Sequence, residues 1–253
     1  MRGRGPGPRD RELFAESRVS VLRSAVADLS WLLTRGYSDR AALKLVGDRH
    51  ALTERQRMAV SRSACSDAAR ESRRARRVAR VDGERVHVDG FNALIVLESA
   101  LSGGLVLIGR DGVHRDLASV HGTWRRVART DEAIEAMARA LAPAREVLVL
   151  LDRPVSNSGR LAARMRELAA AGGWSWQVEL VASPDRDLAA SDAIEERSEV
   201  TAGAGGPSRR EATNVIVATG DARILDACTR WVDVPAMALA ARREPAWIVD
   251  LSA

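Results

Sequence analysis

Three aspartates close three apolar runs. Val86-His87-Val88 leads into Asp89 and on to Gly90-Phe91-Asn92, Val147 to Leu151 leads into Asp152, and Val215 to Thr219 leads through Gly220 into Asp221. Short apolar runs followed by helix-like segments read as buried strands, and in a parallel α/β sheet ligands gather beyond the carboxyl ends of the strands. Carboxylates delivered there by three strands would repel one another unless a cation sat between them. Oxygen donors in that number suit Mg²⁺ or Mn²⁺ better than zinc. The chemistry they point to is metal-dependent cleavage of a phosphodiester, with RNA as the expected substrate. The competing reading is that each aspartate simply caps the helix that follows it.

Other residues extend the constellation. Asn92 lies one turn into the segment after Asp89, where its amide oxygen could ligate a metal or orient water. A fourth carboxylate is expected from Asp226, Asp185, Asp187 or Asp192, with Asp226 taken into the metal set beside Asp89, Asp152 and Asp221. Ser156-Asn157-Ser158-Gly159-Arg160 follows Asp152 directly, and hydroxyls, an amide and a glycine at a helix start can cradle a phosphate. His121 to Arg126 mixes an aromatic with cations, so Arg125 and Arg126 are candidate RNA contacts, while Trp124 reads as partly buried. His50, His87 and His114 have no cysteine or carboxylate at ligand spacing and read as structural.

The elements that must carry these residues fall into two parts. Residues 1–10 are Arg, Gly and Pro and read as a disordered tail. Residues 11–68 read as an all-helical domain. It has a helix from Arg11 to Arg35, a second capped by Ser38 and ended at Gly47, and a third opened by the Thr53/Gln56 capping box and reaching roughly Cys65. Residues 69–80, with six arginines between Arg70 and Arg80, read as a linker or a phosphate-contacting strip. From 81 to 253 strands alternate with helices. Helices are expected over Phe91–Leu101, Asp131–Leu141 (capped by Thr130), Arg160–Ala170 and Ala222–Arg230. A strand is expected at Trp176–Val181, and a hairpin pairs Leu105–Arg110 with Val113–Leu117 around Asp111-Gly112. Asp192–Glu199 reads as weakly helical and Thr201–Ser208 as a flexible insertion. This predicts an α/β fold, a Rossmann-like parallel sheet flanked by helices, preceded by a small helical domain.

Bulk properties narrow the classes. Hydrophobic residues make up 46% of 253 and aromatics only 4%, so the core is built from Ala, Leu and Val. The +5 formal charge comes from 39 basic residues against 34 acidic ones, and Lys44 is the one lysine among them. Two distant cysteines make neither a disulfide scaffold nor a zinc site and suit a reducing cytoplasm. The N-terminus has no apolar core of a signal peptide, and no apolar run approaches the ~18 residues of a membrane span. A cytoplasmic protein is the expectation. Asp-x-Asp is missing after the first strand, as are Gly-x-Gly-x-x-Gly, Gly-x-Ser-x-Gly and the Walker loop. These gaps count against aspartate phosphatases, dinucleotide enzymes, serine hydrolases and P-loop enzymes.

Val88-Asp89-Gly90-Phe91-Asn92 resembles the opening strand of PIN-like nucleases, especially the NYN branch, where Asp is followed by Gly-Tyr/Phe-Asn. Val217-Ala218-Thr219-Gly220-Asp221 is similar to that fold's late strand, with Gly220 where Ser or Asn is usual. Leu150-Leu151-Asp152 is similar to its intermediate acidic strand. The whole chain also resembles a two-part prokaryotic family of unknown function, through Arg35-Gly36-Tyr37 and Val46-Gly47-Asp48-Arg49 in front and Asp152 to Gly159 behind. The nuclease resemblance implies RNA cleavage dependent on Mg²⁺ or Mn²⁺. In that reading Asp89 and Asp221 are direct ligands, Asp152 ligates directly or through water, and Asn92 orients. The alternatives are a non-catalytic PIN-like module that binds RNA or protein, and a metal-dependent phosphohydrolase or nucleotide-binding protein. The helical domain is the candidate docking surface for a second copy or another protein.

Overall fold

A computed structural model describes residues 4–118, 122–190 and 215–252. The helical front comprises α1 (Asp10–Leu13), α2 (Glu16–Thr34), α3 (Asp39–Arg49), α4 (Glu54–Ser63) and α5 (Asp67–Arg76). The α/β part follows as β1 (Arg85–Asp89), α6 (Gly90–Leu101), β2 (Val106–Ile108), β3 (His114–Asp116), α7 (Thr130–Leu141), β4 (Glu146–Asp152), α8 (Ser158–Gly172) and β5 (Trp176–Val181). It continues with α9 (Pro184–Ala189), β6 (Val215–Ala218), α10 (Ala222–Ala227), β7 (Trp231–Val232), α11 (Val234–Ala240) and β8 (Ile248–Asp250).

Five parallel strands form the main sheet in the order β5-β4-β1-β6-β7. Strand alternation sends Val147, Val149 and Leu151 to one face, against α6, α7, α8 and α11. Leu148 and Leu150 go to the other face, with Val217 and Trp231, against Leu188 of α9 and Ile224 and Leu225 of α10. Both faces are covered, as a parallel sheet requires. Because β1 lies between β4 and β6, the carboxyl ends that carry Asp89, Asp152 and Asp221 are neighbours on one edge. The α/β expectation holds.

A second sheet, β3-β2-β8, contains the expected hairpin, with Gly112 at φ +75° in its turn. This sheet belongs to the helical front. Leu105, Leu107, Leu117, Val249 and Leu251 share one core with Leu22, Val26, Leu29, Val46 and Val60. The helices therefore close only over strands drawn from the middle and the end of the chain.

Several local expectations are corrected. Residues 4–10 are fastened, not a free tail: Arg4 pairs with the fully buried Glu98, and Arg55 holds Asp10 at 2.9–3.0 Å. The long first helix breaks at Phe14-Ala15 into α1 and α2. Gly47 lies inside α3, where the Arg57 guanidinium passes over it to reach Lys44 O, Asp48 and Leu52 O. The 69–80 segment is no linker in its first half, because α5 runs to Arg76. Thr130 does not cap α7. Its hydroxyl donates to Glu98 at 2.5 Å and accepts from Val127 N, since a buried carboxylate demands donors more strongly than a helix end does. Residues 222–230 shorten to α10, and β7, α11 and β8 follow without having been expected. The Thr53/Gln56 capping box forms as read, with both reciprocal bonds present. The segments Asp192–Glu199 and Thr201–Ser208, and with them Asp192 and His121, lie outside the described residues. No helix among the described residues is long and apolar enough to cross a membrane.

Candidate metal and phosphate site

β1 delivers Asp89 to the edge, 7% exposed. One oxygen accepts from Asn92 N at 3.3 Å, capping α6, and the other accepts from Thr219 Oγ1 at 3.0 Å. Thr219 Oγ1 in turn accepts from Asp221 N at 3.0 Å, so one hydroxyl ties the ends of β1 and β6 together. Asp221 Oδ1 accepts from Arg223 N and Ile224 N, capping α10. Asn92 Oδ1 accepts from Gly220 N at 2.7 Å. The asparagine read as a water-orienting group is thus spent on orienting the Asp221 loop. Thr219 went unnoticed as a site residue, although its place in Thr-Gly-Asp after an apolar strand is the signal that would have found it.

β4 places Asp152 two residues past Leu150, the register partner of Asp89. Alternation puts it on the same face, and α9 brings Asp185 to that face. The electrostatics join these four carboxylates. Burial pushes the Asp89 carboxyl up to about 7, with the charges of Asp221 and Asp185 adding to the rise. Burial and then Asp185 raise Asp152. Burial and then Asp221 raise Asp185, against a counter-pull from Arg223. Among the described residues none of the four has an ion pair, whereas the buried Asp10, Asp111 and Asp233 do.

Asp226 has a different fate. Arg73 grips it in a fork at 2.7 and 2.9 Å, so of the described candidates for a fourth carboxylate Asp185 is the one whose charge acts on Asp89 and Asp152. Asp187 makes a 3.5 Å pair with its neighbour Arg186.

A cleft of about 570 Å³ opens beside this edge. Its lining includes Asn92, Asp152, Gly220 and Asp221, the charged Arg62, Arg73, Arg115 and Asp116, and the apolar Phe91, Ile95 and Val155. The cations all have partners. Arg62 donates to Asp116 O, and Arg73 and Arg115 both hold Asp111, whose carboxyl falls to about 2 despite its burial. Burial raises Asp116 to about 6, against the pull of Arg62 at 3.8 Å.

The expected phosphate loop is laced to the backbone. Ser156 N and O bond Gly122 O and Trp124 N, Asn157 sits at φ +69° with Nδ2 on Trp124 O, and Ser158 Oγ reaches Arg153 O. Trp124 is buried at 3%. Arg126 pairs with Asp131 at 2.5 Å, while Arg125 and Arg160 are exposed. Ser158 is buried, so Arg125, Arg160 and the exposed Ser156 are the groups of these segments open to an anion.

The donor set suits a hard divalent cation: Asp89, Asp152 and Asp185 are each raised by a neighbouring carboxylate, and none of the four aspartates has an ion pair among the described residues. The fit is one of chemistry and charge. Among the described residues no three such side chains converge closely enough to hold an ion as placed.

Residues 78–237 match the family described as Domain of unknown function (DUF5616), and residues 21–76 match that described as Protein of unknown function (DUF434). The boundary between the two matches falls at the end of α5. An uncharacterized protein of Methanocaldococcus jannaschii is 29% identical over 187 residues, which cover 70% of this chain and 90% of that protein. No solved structure matches.

Proposed function

The chain belongs to the family described as Domain of unknown function (DUF5616), and from its own site we propose that it is a metal-dependent ribonuclease of PIN-like, NYN-type character. The observation that carries the reading is the edge shared by Asp89, Asp152, Asp185 and Asp221, where the first, second and third are raised by burial and by neighbouring carboxylate charge, with none of the four in an ion pair among the described residues. Asp89, Asp152 and Asp221 would hold Mg²⁺ or Mn²⁺, with Asp185 as the fourth carboxylate. A bound divalent ion supplies Lewis acidity at a phosphodiester and a lower pKa for water. The chain's own contribution is placement. Thr219 fixes Asp89 against the Asp221 backbone, Asn92 holds the Gly220 peptide, and the apolar wall of Phe91, Ile95 and Val155 limits water in the cleft. Arg125 and Arg160, both exposed, are the candidate backbone contacts for RNA.

A second reading, an RNA- or protein-binding module without cleavage, draws on one observation. Asp89 and Asp221 each use an oxygen to cap a helix, and the carboxylates do not converge as placed. The two readings part in one experiment. Structured and single-stranded RNA are incubated with Mn²⁺ or Mg²⁺ and the protein, beside an Asp89→Asn, Asp221→Asn double variant, whose asparagines keep both caps. Cleavage that needs metal and vanishes in the folded variant is the expected result. Salt-sensitive RNA binding by both proteins, with no cleavage by either, selects the binding module.

A further inference from the structure

The two carbonyls that flank Asp221 are both held by arginines from outside the parallel sheet. Arg115 Nε, on β3, donates to Gly220 O at 2.9 Å, and Arg73 Nη2, on α5, donates to Ala222 O at 3.3 Å. Both guanidiniums are locked in turn. Asp111 accepts from Arg73 at 2.7 Å and from Arg115 at 2.7 and 2.8 Å, Asp226 takes the other edge of Arg73, and Trp231 Nε1 donates to Arg73 O at 2.7 Å. Arg73 is 4% exposed.

From the sheet side the same loop is held by its amides, Gly220 N on Asn92 and Asp221 N on Thr219, while Asp221 O accepts from Leu225 N. Every backbone polar group from Gly220 N to Ala222 O thus has a partner, apart from the amide of Ala222. The loop has little room to move: a Cβ on Gly220 would stand 3.1 Å from Asn92 Oδ1 and 3.2 Å from His114 O. A buried ionic network is a poor way to gain stability, since apolar packing of the same volume usually does as well. What it supplies here is direction.

We propose that Arg73 and Arg115, joined through Asp111, are positioning residues that hold the loop carrying Asp221 beside the end of β1, which makes the helical front a working part of the candidate metal site. The inference rests on the metal reading above. It also gives Asp226 a role: it anchors Arg73 and does not ligate. Hydrogen bonds to the groups around a metal ligand typically tune affinity ten- to a hundredfold. A lysine keeps the charge but has no planar fork to span Asp111 and a carbonyl at once.

The test is Mn²⁺ titration of the full chain, followed by calorimetry, for wild type, Asp221→Asn, Arg115→Lys, Arg73→Lys and Arg110→Lys. Arg110 bonds Cys65 O and Asp67, so it ties the front to the hairpin without touching the Asp221 loop. The expected result is Mn²⁺ binding by wild type, loss in Asp221→Asn, about tenfold weaker binding in Arg115→Lys and Arg73→Lys, and no change in Arg110→Lys. Folded Arg115→Lys with wild-type affinity overturns the inference and leaves the metal reading standing. No Mn²⁺ binding by wild type, or full binding by Asp221→Asn, overturns the metal reading and the inference with it. Should the lysine variants fail to fold, Gly220→Ala displaces the loop from the other side with the buried charges intact. It is expected to weaken Mn²⁺ by a similar factor, and unchanged affinity there overturns the inference.

Discussion

Asp111 and Asp116 sit five residues apart on one hairpin, and their environments move them in opposite directions. Both are buried, which alone would raise both. Asp111 receives two guanidiniums and falls to about 2, whereas for Asp116 burial outweighs Arg62 at 3.8 Å, backbone hydrogen bonds and the charge of Arg4, and it rises to about 6. The signs of their linkage to stability follow. Asp111 is below its unfolded value, so its contribution is present above about pH 4 and is lost as pH falls through 2. Asp116 is above its unfolded value, so its contribution is full below about pH 4 and is lost as pH rises through 6. Urea unfolding across pH 4 to 7 should therefore show wild type losing stability relative to Asp116→Asn, by roughly 1–3 kcal/mol. Asp89 titrates in the same window but is common to both proteins and drops out of the difference. Parallel curves would rule out the raised Asp116. Residue type and strand-end spacing made Asp89, Asp152 and Asp221 legible, because a strand end is a local event. The choice of Asp185 over Asp226 was not legible, since it depends on which helix faces the edge. Nor was the burial of Arg73, one of six arginines in a run whose members look alike until α5 docks.

Among the elements, α6 shows how a sheet edge and a helix are fitted. Gly90 opens the helix directly after Asp89, and a Cβ there would lie 2.7 Å from Leu151 Cδ2, 2.8 Å from Val149 Cγ1 and 3.0 Å from Leu150 O. Gly90→Ala would normally favour a helix, but here it drives α6 off β4. We expect it to destabilise by about 1–3 kcal/mol, read as a lower urea midpoint, and a rise in midpoint would contradict the close approach. Thr53→Ala, which removes the α4 capping box, should cost about 1 kcal/mol by the same measurement. Elements whose signals are short-range, such as that box and the Asp111-Gly112 turn, could be read directly. β7 and β8 could not, because strands of two and three residues have no period and exist only through the partners that hydrogen-bond them. Thr130 failed as a cap for a related reason: a local rule yielded to a buried carboxylate 32 residues away.

At the scale of the molecule, the chain does not divide where its composition does. Leu107, Leu117, Val249 and Leu251 lie in the core of the helical front, so the front is incomplete until the last strand has paired beside β2. α5 then fixes the front to the α/β part, with Arg73 on Asp226 and on Ala222 O, and Arg77, just past the helix, paired through its backbone with Trp231. Leu251 is fully buried, and Leu251→Ala should remove about 2–5 kcal/mol. The loss should not stay local. If the two parts share one core and one ionic clamp, helix content by circular dichroism and tryptophan fluorescence should unfold together in wild type and in Leu251→Ala. A fragment of residues 1–80 should lack the stable helical signal of the intact chain, because α2 and α4 would expose the faces that β2 and β8 cover. A fragment that folds with full helix content would show the front to be an independent domain. It would also remove the physical ground for treating the front as part of the site, since a module that holds itself together has no need of the strands that carry Arg115.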